Sequence, residues 1–247
     1  TWADDPQSCY NNTIRLIQEA EDYIAAKKQG KKVFGDLKVA ALAADERRAV
    51  MAEVLPIIRG AVNTRASNIL SYDDSDAVLD MVGGSKTAEV SQIGAACPDH
   101  LVHVKRQPLF VDWTPAEGVE ALKAKLPEAI QAYQQRYVEY FERCKEAGDE
   151  LGNPAPRVIL LPGLGMVNTG KDALNADVSR QLYHRAIQVI GGSEALGGFA
   201  SLTEKEAYDI EYWPLELYKL KLAPPARELA GKVVLITGAA SGIGRST

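Results

Sequence analysis

The 247-residue sequence is short of cysteine, histidine and positive charge, and each shortage closes off a class of function. Its three cysteines, Cys9, Cys97 and Cys144, are odd in number, far apart and never arranged Cys-x-x-Cys. That is not a disulfide framework, and it suits a reducing cytoplasm. Lys and Arg total 28 against 33 Asp and Glu, a net charge of -5. A nucleic-acid partner would ask for a basic face. No apolar run approaches the roughly 18 residues that a membrane span requires. The opening Thr1-Trp2-Ala3-Asp4-Asp5-Pro6 has no initiator Met and no charged or apolar leader region. The expectation is a cytoplasmic protein with neither nucleic acid nor membrane as partner.

What is present is ordinary globular material, 46% hydrophobic and 25% charged, enough for one large or two small cores. Helical periodicity begins almost at once (Tyr10, Ile14, Ile17, Ala20, Ile24) and predicts a helix over 6–29, with Lys27 and Lys28 in its last turn and Gly30 as its stop. Helices are also predicted over 44–64, with Pro56 inside, over 86–96, over 115–147, over 171–190 and over 203–221. Strands are predicted at 68–72, 101–105, 109–113 and 157–161. An acidic turn, Asp73 to Asp76, closes the first of these strands. Strands alternating with long helices indicate an α/β fold, a Rossmann-like parallel sheet with helices on both faces. The expected organisation is a helix at 1–29 belonging to an upstream domain, a middle α/β domain at 30–222, a Pro224-Pro225 linker at 223–231 and a further domain opening at 232–247.

Four constellations carry chemistry. The first is a strand at 233–236 running into Thr237-Gly238-x-x-x-Gly242-Ile243-Gly244. Glycines there let the backbone turn tightly and approach a pyrophosphate, which sits on the N-terminus of the helix that follows. The candidate cofactor contacts are Gly238, Ser241, Gly242, Ile243 and Gly244. A Rossmann site spans several βα units, so this segment is the opening of one. The second is Tyr23-x-x-x-Lys27, an acid/base pattern that here precedes the glycine turn instead of following it, and a chance match.

The third is Gly165-x-x-x-x-Gly170-Lys171-Asp172, with phosphate-loop spacing between a strand and a helix. Asp172 replaces the hydroxyl residue that would bind magnesium, which removes nucleotide hydrolysis. Gly165, Gly170 and Lys171 remain candidates for holding one phosphate or carboxylate, against a glycine turn that only packs. The fourth is Asp99-His100-Leu101-Val102-His103-Val104-Lys105-Arg106. On a strand, His100 and His103 would face opposite sides, which disfavours a shared metal; Lys105 and Arg106 could still meet an anionic group. No local residue is assigned as a metal ligand or catalytic group. The aromatics Tyr208, Tyr212, Trp213 and Tyr218 read as core or packing surface. Glu204, Glu206, Asp209 and Glu211 read as the wet face of their helix.

The glycine turn resembles the cofactor loop of the short-chain dehydrogenases. Cys9-Tyr10-x-x-Thr13-Ile14-x-x-Ile17-x-Glu19-Ala20-Glu21-x-Tyr23 resembles the end of a class II aldolase domain. Cys97-Pro98-Asp99-His100-Leu101, Pro162-Gly163-Leu164-Gly165-Met166, Gly170-Lys171-Asp172 and Ile210-Glu211-Tyr212-Trp213-Pro214-Leu215-Glu216 resemble segments further along the same family. In this order, the motifs are similar to the bifunctional rhamnulose-1-phosphate aldolase/short-chain dehydrogenase family. The resemblance implies a zinc-dependent aldolase that cleaves a ketose 1-phosphate to dihydroxyacetone phosphate and lactaldehyde, and a dehydrogenase that uses NAD or NADP. It also implies that the zinc-binding histidines lie upstream of Thr1 and the dehydrogenase Tyr and Lys downstream of Thr247. The middle domain is then expected to connect the aldolase and dehydrogenase domains, its partners, to support a homo-oligomer, and to be inactive alone. As the alternative, it lends the Gly163–Lys171 loop to the aldolase site, as a seat for the substrate phosphate.

Overall fold

The computed structural model describes residues 1–63, 66–222 and 228–247. The chain opens with α1 (Pro6–Lys28) and α2 (Ala44–Val62), then β1 (Ile69–Asp73), α3 (Asp76–Gly83) and α4 (Thr87–Val90). Next come α5 (Leu101–Val104), β2 (Leu109–Phe110) and the long α6 (Val119–Cys144). Then follow β3 (Val158–Leu161), β4 (Gly165–Gly170), α7 (Ala173–Leu196), α8 (Glu204–Glu211), α9 (Pro214–Lys221) and α10 (Gly242–Ser246). The helix starts follow local chemistry. Asp5 accepts from the Ser8 amide, with Pro6 in the first turn of α1, and Thr203 and Glu206 close a capping box on α8.

One four-stranded sheet runs β1-β4-β3-β2. Along β3 the side chains alternate, as a pleated strand requires. Ile159 and Leu161 enter a core with Met51, Val54 and Ile58 of α2 and Leu122, Leu126 and Ile130 of α6. Val158 and Leu160 enter the opposite core, with Val78 and Met81 of α3 and Tyr183, Ile187 and Ile190 of α7. The sheet is therefore covered on both faces, and the α/β class holds.

The strand directions differ from the expected parallel sheet. Only β2 and β3 are parallel; β4 is antiparallel to both β1 and β3. Parallel neighbours need a crossover, whereas β3 reaches β4 through Pro162-Gly163-Leu164. The turn is closed by Leu164 N donating to Leu161 O at 3.0 Å, with Gly163 at φ 76°.

Other expectations are corrected. Residues 101–105 do not form a strand: Pro98 starts a 3-10 turn that runs into α5, and buried Leu101 and Val104 keep a helical spacing. Helix α3 stands directly after the predicted acidic turn, and only Thr87–Val90 of the predicted 86–96 helix is helical. The predicted helix over 203–221 breaks at Trp213-Pro214 into α8 and α9, because a proline disfavours helical backbone in the residue before it. Residues 233–236 form no strand; these four side chains are exposed and lack a ladder partner. Pro224 and Pro225 lie outside the described residues. No helix among the described residues is long and apolar enough to cross a membrane.

Candidate functional site

The third sequence constellation is not a loop. Residues Gly165–Gly170 are β4, an interior strand hydrogen-bonded on both sides. Its amides serve the ladders instead of converging on a hollow. Gly170 is glycine for packing: a Cβ there would stand 2.2 Å from the Ala176 backbone nitrogen in the first turn of α7. Lys171 is exposed. The N-terminus of α7 is already filled by its own residue, since Asp172 accepts from the Asn175 amide at 2.7 Å. The spacing matched a phosphate loop; the backbone does not make one.

The glycine turn at the C-terminal end does gather its residues. Gly238 and Gly242 take positive φ, 68° and 57°. A Cβ on Gly244 would lie 2.8 Å from the carbonyl oxygens of Thr237 and Gly238. Ser241 caps α10, on which Ile243 and Gly244 lie. The turn thus has the tight backbone that close approach of a pyrophosphate needs, although no strand leads into it.

The constellation around His100 folds differently from expectation. His100 ends the 3-10 turn and His103 sits on α5. His100 Nδ1 is buried without a hydrogen-bond partner, and burial lowers the ring's pKa against the opposing charge of Asp99. Among the described residues, no three His, Cys, Asp or Glu side chains are placed to hold a metal ion.

The strongest concentration of chemistry lies one turn further, at Lys105. It is the one non-glycine residue with positive φ among the described residues, at φ 63° and ψ 176°. L-residues pay roughly 1–3 kcal/mol for such backbone, and strain of this kind clusters at functional sites. The residue is 5% exposed. Its Nζ lies 3.1 Å from the Tyr137 ring centroid and donates to Asn153 O at 2.7 Å.

Facing it is Glu211, also buried, which corrects its reading as a solvated carboxylate. Helix α8 packs across the C-terminal half of α6 and turns this last residue inward. Helix α6 supplies Tyr133, Tyr137 and Tyr140 at helical spacing, on one face. Tyr137 Oη donates to Glu211 Oε1 at 2.6 Å, and Tyr140 Oη donates to Oε2 at 3.2 Å. The Tyr137 and Tyr212 hydroxyls lie 2.8 Å apart, and Tyr212 Oη accepts from the Gly152 amide at 3.3 Å. Tyr208 stacks on Tyr212 with centroids 4.4 Å apart.

Burial dominates the electrostatics here. It pushes the Lys105 amine down to about 7, against the favourable charge of Glu211. It raises the Glu211 carboxyl, against Lys105 and the two phenols, and holds Tyr137 protonated far above its usual range. An amine that titrates near neutrality beside a carboxyl reluctant to ionise can exchange protons with a bound molecule.

Two cavities open on either side of Lys105. One of about 150 Å³ is lined by Arg157, Glu211, Tyr212 and Glu150. The other, about 310 Å³, is lined by Arg106, Arg136, Tyr133 and Tyr140. Of these groups only Lys105 and Arg106 were singled out in the sequence as anion partners. The tyrosines at 133, 137 and 140 could have been found from their spacing of four and three.

A second buried carboxylate, Asp73, is structural. Its Oδ2 accepts from His184 Nε2 at 2.7 Å and from Arg180 Nη1 at 3.1 Å, pinning α7 to β1. Burial alone would raise its pKa; the hydrogen bonds from His184, Ser75 and Arg180 outweigh that and leave it well below the usual carboxylate range. A carboxyl depressed on folding stabilises above its unfolded pKa and loses that contribution as pH falls through the folded value. Asp73→Asn should therefore cost ~2 kcal/mol in denaturant melts at pH 7, and the gap to wild type should close in acid.

Comparison with known proteins bears on the aldolase part of the resemblance. Residues 49–220 match the family described as aldolase class II, second domain. A curated relative, named an uncharacterized oxidoreductase YuxG of Bacillus subtilis (strain 168), is 50% identical over 245 residues. That alignment covers 99% of this chain and 36% of the relative, so the chain spans about a third of the relative's length. No solved structure matches the chain. The chain belongs to the aldolase class II second-domain family.

Proposed function

We propose that this chain is the connecting region of a bifunctional enzyme of deoxy-sugar breakdown, joining a zinc-dependent class II aldolase to a short-chain dehydrogenase. The observation that carries the reading is a juxtaposition. One chain combines a match to the aldolase second domain at 49–220 with Thr237-Gly238-x-x-x-Gly242-Ile243-Gly244. The oxidoreductase name of the relative supports the second half. Exposed Tyr10, Ile14, Ile17 and Tyr23 on α1 fit a helix that docks on an aldolase domain. The exposed 233–236 segment fits a strand that completes a dehydrogenase sheet.

In this reading the α/β domain at 30–222 positions the two catalytic parts within a cytoplasmic homo-oligomer. Zinc is held by the aldolase part. NAD or NADP, which supplies hydride chemistry, is held at its pyrophosphate by Gly238, Ser241, Gly242, Ile243 and Gly244. The test is an assay of the full-length protein for cleavage of a ketose 1-phosphate and, separately, for NAD(P)-dependent turnover of lactaldehyde. Gly244→Val should abolish the second activity and spare the first. A variant that still turns over the cofactor normally would remove the dehydrogenase half of the proposal.

A further inference from the structure

The larger cleft beside Lys105 gathers four basic side chains, three of which make no ion pair among the described residues. Arg143 is taken, clasped by Glu204 through bonds of 2.8 and 3.0 Å. Lys105, Arg106 and Arg136 line the same cleft and have no ion pair among the described residues. Arg106 Nε is buried with no hydrogen-bond partner. Arg136 lies 5.9 Å from the Tyr133 ring centroid, and Lys105 is held on backbone that normally requires glycine. Glu139 lines the same cleft and makes no ion pair within 4 Å among the described residues. A buried donor left unsatisfied is costly, and that cost falls when an anion enters.

We infer that this cleft binds a small phosphate ester, its phosphate seated among Lys105, Arg106 and Arg136. Two guanidinium groups and an amine that takes up a proton as the anion arrives suit a dianion better than a single carboxylate, and guanidinium groups match tetrahedral oxyanions through paired N–H donors. The site extends beyond the connecting role and does not depend on what the flanking domains catalyse.

The inference has a protonic signature. Lys105 is faced by Glu211 at the end of α8 and Tyr212 just after it, by Tyr133 and Tyr137 from α6, by Arg157 ahead of β3 and by Glu150. An arriving phosphate adds negative charge beside an amine that is largely neutral at pH 8, so binding should draw in a proton.

The experiment is calorimetric titration of the full chain with inorganic phosphate at pH 8, in two buffers of different protonation enthalpy. Binding with uptake approaching one proton per site is expected. Arg136→Gln should weaken binding about tenfold or more; Arg136 is exposed on α6, so its melting profile should match wild type. Lys105→Met should weaken binding similarly and abolish the proton uptake. Absence of binding, equal binding by wild type and both variants, or tighter binding of acetate than of phosphate would overturn the assignment.

Discussion

Gly170→Ala should lose ~3 kcal/mol or more of stability, or yield an insoluble chain, although it adds a single methyl group. The new Cβ would sit 2.2 Å from Ala176 N and 2.6 Å from Asn175 C. Both are backbone atoms of the first turn of α7, so no side-chain rotation relieves the overlap. Helix α7 would have to lift away from β4 and carry Tyr183, Ile187 and Ile190 out of the core that they share with Met166. Overpacking of this kind costs roughly 1–3 kcal/mol even when a side chain can yield. Lys171→Ala, one residue on, should stay within ~0.5 kcal/mol, because Lys171 is exposed. Denaturant melts of the two variants check the pair. A stable Gly170→Ala would restore the view that these glycines serve a ligand and not the packing of α7.

The second large effect is expected at Glu211. Glu211→Leu removes the acceptor for both Tyr137 and Tyr140. Each phenol left buried without its acceptor costs roughly 1–3 kcal/mol, so the loss should reach roughly 2–6 kcal/mol. Glu211→Gln keeps an acceptor oxygen and should cost only ~1 kcal/mol. The contrast between the two, measured at pH 7, isolates the hydrogen-bonded network from simple packing of α8 on α6. Equal losses would mean that α8 is held by its apolar contacts alone, through Tyr208 and Tyr212.

Much of the scaffold was legible in the residue pattern. Val158, Ile159, Leu160 and Leu161 announce a strand buried on both faces. Leu122, Leu126 and Ile130 announce the inner face of α6, and Asp5-Pro6 announces the start of α1. Strand β4 was hidden because Gly165, Asn168 and Gly170 carry no apolar alternation, and the same glycines imitated a phosphate loop. Once β4 is taken as a loop, the hairpin with β3 disappears and an all-parallel sheet follows.

The site was half visible. Lys105 and Arg106 were chosen for their charge, but Glu211 sits among Glu204, Glu206 and Asp209, and composition alone assigns all four to water. Only the packing of α8 across α6 separates the one that turns inward. The backbone of Lys105 had no sequence signal at all, since a lysine where glycine is favoured looks like any other lysine.

The measurement that tests the account most directly is the stability of Lys105→Gly beside Lys105→Ala, with and without phosphate. If Lys105 is kept on strained backbone for the sake of an anion, glycine relieves that strain and alanine does not. Lys105→Gly should then be about 1 kcal/mol more stable than Lys105→Ala, and phosphate should stabilise wild type while leaving both variants unmoved. A glycine variant less stable than the alanine variant, or one that phosphate still stabilises as it does wild type, would contradict the account.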